Sequence, residues 1–380
     1  VNFEDIQPYA DHEVSAALAR LMHDPAIFQL CQYLYPQKTN DELIQLARNT
    51  HTVRELQLNF SYPAIRGIIA RTISAFSHSG FEAMKPQDGG YLFISNHRDI
   101  VLDSAILNVL LVDHQLETAE TGAGENLFLS QAITDLLKIN RNFVVHRPEQ
   151  PRELYQVSRR LSAYILNRRQ AGTSLWIAQR SGRTKNGLDR TETGLLKMLG
   201  MAGKDFIDHF VALNIRPLAI SYEYDPCDRL KVQELYFKQE RPDLPRRRKD
   251  DFRAMLSGVT DSKGRTHFAM MPAIAEPELL ELAAIRDRNE RFRSFRHLLD
   301  WRILAGYRLF PVHYIAADWQ RGEQRYTSQY TPSEVEAFKH KVAQRLEGLE
   351  GEPEVLQRLM LDIYAGPVKS KEEFGMLACS

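Results

Sequence analysis

With 380 residues, 43% hydrophobic and 26% charged, the chain has the balance of a globular protein able to bury a large core, which excludes extensive disorder. Its 49 basic and 49 acidic side chains cancel, so no overall field recruits a nucleic acid. Cys31, Cys227 and Cys379 stand far apart, without metal-ligand or disulfide-framework spacing, which fits a reducing compartment.

The first residues, VNFEDIQPYADHEV, show no basic start followed by an apolar run, so no secretory leader is expected. No window reaches the roughly 18 to 20 apolar residues that cross a bilayer. Membrane contact is therefore expected to be peripheral. Between 10 and 80, DHEVSAALARLM, DELIQLARNTHTVRELQ and AIRGIIARTISAF repeat apolar residues at helical spacing and predict a helical N-terminal domain over 1–80. The last of these carries Arg66 and Arg71 beside its apolar stripe. It is suited to packing on the rest of the protein or to lying on a membrane surface.

From 81 to 380 the texture is α/β. YLFIS (91–95) reads as a strand that feeds a helix beginning in NHRDIVLDSAILNVLLVD. NLFLSQAITDLLKI reads as a helix, NFVVHR as a strand, PRELYQVSRRLSAYILNRR as a long helix and GTSLWIA as a strand. The loop QRSGRTKNG precedes a helix in ETGLLKMLGMAG, followed by VALNI and LAISYEY as strands separated by Arg216 and Pro217. Further on, DFRAMLSGV reads as a helix, THFAMMPAI as a strand, 276–307 as one long helical stretch and FPVHYIAAD as a strand. Two C-terminal helices, SEVEAFKHKVAQRLEGLE and PEVLQRLMLDIYA, follow before fraying at VKSKEEFG. This alternation predicts an α/β domain over 81–380, a mixed, mostly parallel sheet covered by helices, with a C-terminal helical extension.

Chemistry concentrates where a strand ends and a helix begins, and His97 stands in such a turn. Taken alone it is a candidate helix cap. His12, His51, His78 and His114 have no spacing such as HExxH that would build a metal site, and no metal is expected. SGRTKNG lacks the glycine spacing and the Gly-Lys-Ser/Thr ending of a nucleotide-binding loop. Arg246, Arg247, Arg248 and Lys249 follow Pro242 and Pro245. They form either a solvated helix start or a contact for anionic lipid or an acidic carrier protein.

Taken in order, four segments resemble the conserved blocks of the glycerolipid acyltransferases: Asn96-His97 with a downstream aspartate, NFVVHRP, WIAQRSGRTKNG and IRPLAISYE, spanning about 91–224. The third is most similar to the block of the soluble plastid glycerol-3-phosphate acyltransferases. The resemblance implies transfer of an acyl group from an acyl carrier protein or coenzyme A thioester, with no bound cofactor, to glycerol 3-phosphate. The alternatives are 1-acylglycerol 3-phosphate or another lysolipid as acceptor, or a non-catalytic lipid- or carrier-binding protein. It makes His97 the catalytic base and assigns His146, Arg147, Arg183 and Lys185 to the acceptor phosphate. The family's aspartate follows its histidine after four residues. Here Asp103 follows after five and takes the partner role across a bulged turn, with Asp99 as the fallback.

An imidazole, with a reference pKa near 6.5, can take the alcohol's proton while a carboxylate on its other nitrogen holds the tautomer. Backbone N–H groups around Ser181 and Gly182, or at the helix start after His97, are candidates for the oxyanion. Arg180 and Arg190 on the same loop support the site. An apolar product leaving for a bilayer implies a cytoplasmic protein at the inner membrane surface.

Overall fold

Alternation of side chains along each short strand decides the architecture, because both faces of the sheet are buried. The computed structural model describes residues 2–240 and 248–377. The strands are β1 (Ile73–Ser79), β2 (Leu92–Ser95), β3 (Glu120–Gly124), β4 (Asn142–Val145), β5 (Leu175–Ala178), β6 (Ile215–Tyr222) and β7 (Gly264–Met270). They form one sheet in the order β1-β7-β6-β2-β5-β3-β4. All neighbours are parallel except β6 with β7, so this is the mixed, mostly parallel α/β fold expected. Leu92, Ile94, Leu175, Ile177 and Ile215 face one layer, built on the helices Pro151–Gln170, Phe206–Leu213 and Arg288–Gly306. Phe93, Trp176, Leu218 and Ile220 face the other, built on the helices Tyr62–Thr72 and Leu102–Asp113.

The N-terminal helices gather around Val14, Leu18, Leu21 and Leu43 and pack on the helix Gln131–Ile139. A third cluster joins the helices Pro311–Arg321, Pro332–Leu346 and Pro353–Glu373. No helix among the described residues is long and apolar enough to cross a membrane.

Several local expectations are corrected. ISAF does not continue the preceding helix but starts β1, which pairs with β7. ETGAG, which lies outside every expected element, is β3. VALNI is not a strand: Val211–Leu213 close a helix that Asn214 ends in the left-handed region, with φ 47°. β6 then runs unbroken through Arg216 and Pro217. Pro217 is tolerated because the donor it lacks falls past Met270, where the ladder with β7 ends; its carbonyl still accepts from Met271 N–H (2.9 Å). FPVHYIAAD is a helix, opened by Pro311 and burying Val312, Ile315 and Ala316 at helical spacing. The stretch 276–307 is two helices, Glu276–Ala284 and Arg288–Gly306, the second capped by Asp287, which accepts from Glu290 N–H. VKSKEEFG does not fray: the last helix continues to Glu373 with Val368 and Ser370 buried.

Candidate active site

Leaving β2, the chain is held first by Asn96. Its side chain donates to Ile220 O and accepts from Ile220 N–H, both at 2.8 Å, which locks the turn to β6. His97 follows at the carboxyl edge of the strands. Its Nδ1 lies 2.8 Å from Asp103 Oδ2, and Asp103 is fully buried in the first turn of the helix Leu102–Asp113. The same oxygen accepts the N–H groups of Arg98 (2.6 Å) and Asp99 (3.0 Å), while Oδ1 accepts the Tyr222 hydroxyl (2.9 Å). A carboxylate only accepts, so the proton of this pair sits on Nδ1 and leaves Nε2 with its lone pair. The ring, 13% exposed, meets Trp176 edge-on at 5.4 Å.

The extra residue between His97 and Asp103 is absorbed by a carboxylate-capped turn. Asp99 Oδ1 accepts from Val101 and Leu102 N–H, each at 2.8 Å. Asp99 is thus a helix cap, and Asp103 is the carboxylate that meets the imidazole. Burial and the neighbouring Asp103 push the Asp99 carboxyl above the usual range. Its Oδ2 finds no partner, and a Cβ on Gly258 would stand 2.2 Å from it. The helix-start amides expected as oxyanion donors at 98, 99, 101 and 102 are therefore occupied by these two carboxylates.

The loop after β5 is stitched to the turn by Gln179 N–H on Ser95 O and Thr184 N–H on His97 O, both 2.8 Å. Beneath it the buried Arg98 donates to Asp189 Oδ2 (2.6 Å), Gly187 O (3.2 Å) and Asp225 Oδ2 (3.0 Å), and Lys231 Nζ pairs with Asp225 and reaches Arg98 O. Two cations and two carboxylates balance there, which is what makes their burial tolerable. Thr184 Oγ1 also donates to Asp189 Oδ1 (2.6 Å).

On this platform Arg183 is only 8% exposed, yet its Nη1 has no hydrogen-bond partner. Arg183 adjoins Thr184, whose N–H bonds the His97 carbonyl, so a buried guanidinium nitrogen without a partner lies on the loop that meets the His97 turn, and an anion is the ligand that would satisfy it. Lys185 pairs with Glu234. Arg180 leaves its Nε without a partner, and Arg190 pairs with Glu373. Ser181 N–H donates to Glu192 (3.1 Å), whereas Gly182, at φ +72°, has open space where a Cβ would be.

His146 and Arg147 follow β4, three strands from β2, about 14 Å at the usual strand spacing. His146 Nδ1 lies 2.9 Å from Glu125 Oε2 and its Nε2 is 3.7 Å from Asp5; Arg147 N–H donates to Glu125 Oε1. The structure brings Arg183 to the His97 turn but keeps this pair at the far end of the same edge. Arg246 and Arg247 lie outside the described residues; Arg248 and Lys249 open the helix Arg248–Thr260, with side chains outside the described set.

Sequence reasoning missed Arg98, Asp189, Asp225, Lys231 and Tyr222. Only Arg98 carried a signal, by its place beside His97. A cleft of about 450 Å³ lined by Arg54, Glu117, Glu120, Arg141 and Arg168 opens at the amino edge of β3 and β4, the edge opposite His97. Among the described residues no group of three or more His, Cys, Asp or Glu could hold a metal.

No family model and no curated protein matches the chain. Among solved structures it is similar to the 1-acyl-sn-glycerophosphate (LPA) acyltransferase PlsC from Thermotoga maritima, at 12% identity and a TM-score of 0.36, over 75% of this chain and 92% of that one. The functional reading rests on the geometry of the site.

Proposed function

We propose that the chain is a glycerolipid acyltransferase that moves a fatty acyl group from a thioester of acyl carrier protein or coenzyme A to the hydroxyl of glycerol 3-phosphate. The observation that carries this reading is the His97–Asp103 pair with its free Nε2, tied through Thr184 to a loop whose Arg183 presents an unpartnered, buried guanidinium nitrogen.

In this mechanism the acceptor phosphate sits on Arg183, with Lys185 adding charge once Glu234 yields, and the held phosphate sets the glycerol hydroxyl at His97. The hydroxyl oxygen attacks the thioester carbonyl as its proton passes to Nε2, and Asp103 stabilises the imidazolium. Gly182 N–H is the oxyanion donor on this loop. Collapse breaks the carbon–sulfur bond, and the leaving thiolate takes the proton from the imidazolium, giving an ester, a free thiol and neutral His97. No acyl-enzyme is needed. His146 and Arg147, three strands away and engaged with Glu125, do not hold glycerol 3-phosphate and would serve only a longer, lysolipid acceptor. The apolar product places the enzyme at the inner membrane surface.

The test is thioester consumption by the purified protein with long-chain acyl carrier protein or acyl coenzyme A, against glycerol 3-phosphate or 1-acylglycerol 3-phosphate. Transfer to glycerol 3-phosphate that falls by about 10²- to 10⁴-fold in His97→Ala supports the reading. Transfer only to the lysolipid keeps the mechanism and changes the acceptor. Absence of transfer with every pair overturns it in favour of a lipid- or carrier-binding protein.

A further inference from the structure

Asp103 Oδ2 is gripped by three donors, His97 Nδ1 and the amides of Arg98 and Asp99, whereas Oδ1 takes one, the Tyr222 hydroxyl at 2.9 Å. Donors on a single oxygen pin that oxygen but leave the carboxylate plane able to tilt around it through coupled rotations about the Cα–Cβ and Cβ–Cγ bonds. A donor on the second oxygen stops that motion. Tyr222 comes from β6, 119 residues away, and its ring is buried against Phe268.

We propose that Tyr222 is a positioning residue for the His97–Asp103 pair, fixing the carboxylate plane that presents Oδ2 to the imidazole and drawing charge away from it. The inference rests on the acyltransferase reading for its kinetic consequence but not for its physical one. The groups facing Tyr222 and the pair are Asp99 on the turn, Arg98 and Asp225 beneath it, Tyr307 against Arg98, Lys263 before β7, and His313 on the helix Pro311–Arg321. Burial and the Asp103, Asp99 and Asp225 carboxylates push the phenol well above its ordinary value, so Tyr222 stays a donor. His313, pushed down to about 3 by burial and Arg98, stays neutral near neutral pH.

Removing the hydroxyl concentrates charge on Asp103 and makes it a better partner for imidazolium. Tyr222→Phe is therefore expected to raise the pKa of His97 by about half a unit to one unit, the equivalent of one net hydrogen bond. The readout is the ring resonance in protein carrying labelled histidine, assigned by its disappearance in His97→Ala. The acidic limb of kcat/KM should move up by the same amount, and kcat should fall about tenfold as the carboxylate loosens. A ring-fluorinated tyrosine at 222, which keeps the packing and donates more strongly, should move the resonance titration down. In an Asp103→Asn background, Tyr222→Phe should leave it unmoved.

An unchanged His97 titration in folded Tyr222→Phe, or an equal shift with and without the Asp103 carboxylate, overturns the proposal. The titration needs no turnover. A wild-type protein without transfer would sink the acyltransferase reading while still deciding the role of Tyr222.

Discussion

At the scale of single residues, two aspartates four positions apart have opposite duties. Asp103 holds the imidazole, so Asp103→Asn should cost on the order of 10³- to 10⁴-fold in kcat by releasing the tautomer. Asp99 caps the helix and buries one oxygen without a partner. Asparagine caps as well as aspartate, so Asp99→Asn should leave kcat within a few fold and the unfolding midpoint unchanged or higher; kinetics and thermal unfolding of the two variants decide. Arg183→Ala should raise KM for a phosphorylated acceptor about tenfold or more with a smaller change in kcat, and Arg183→Lys should restore it only in part, because an ammonium replaces a fork with a point charge. Lys185→Ala should cost less, since Lys185 already has Glu234 as a partner.

At the scale of elements, the C-terminal helix Pro353–Glu373 braces the loop after β5. Gly187, at φ +74°, would carry a Cβ 2.2 Å from Ile363 O, and a Cβ on Gly366 would stand 2.4 Å from the Gly187 carbonyl carbon. These are backbone contacts, which no rotamer can relieve. Gly366→Ala should therefore destabilise by about 1–3 kcal/mol and, by displacing Gly187 O from Arg98, raise acceptor KM as well. Gly194→Ala, in the helix Thr193–Leu199 with nothing within 4 Å of the added Cβ, is the control and should be neutral or slightly stabilising. The helix Pro353–Glu373 also marks the limit of what periodicity shows. Its apolar face past Ala365 was legible only once its partners were known, just as FPVHYIAAD, a short apolar run without turn punctuation, fits a strand or a helix until its neighbours choose.

At the scale of the whole molecule, three buried histidines among the described residues, His209, His267 and His313, are held by burial below the ordinary imidazole value, the last two furthest. His313 accepts from Phe310 N–H (2.9 Å) and is pushed down to about 3 by burial and Arg98; His267 is pushed down to about 4 by burial and Arg308. Both would titrate near 6.5 when unfolded. Below 6.5 the unfolded chain thus binds more protons than the folded one, and stability falls with pH. Between pH 6.5 and 5, before most carboxylates protonate, the loss should approach about 1.4 kcal/mol per pH unit for each histidine. Denaturant unfolding at pH 7 and 5 checks this, and a stability that rises on acidification would contradict it.

What the sequence by itself determined is local. The alternation in YLFIS and LWIA set strands buried on both faces, the helical spacing after Leu102 placed His97 in a strand-to-helix turn, and QRSGRTKNG put basic residues on the loop after β5. Only the tertiary structure decided that Asp103 rather than Asp99 meets the imidazole, that Arg98 is anchored by two carboxylates while Arg183 keeps a buried nitrogen without a partner, and that Lys185 is paired. It also brought Tyr222 to the carboxylate and kept His146 three strands away. The reason is physical. Periodicity reports which face of an element is buried, but the order β1-β7-β6-β2-β5-β3-β4 decides which distant residues share an edge, and that order follows from packing whole layers together.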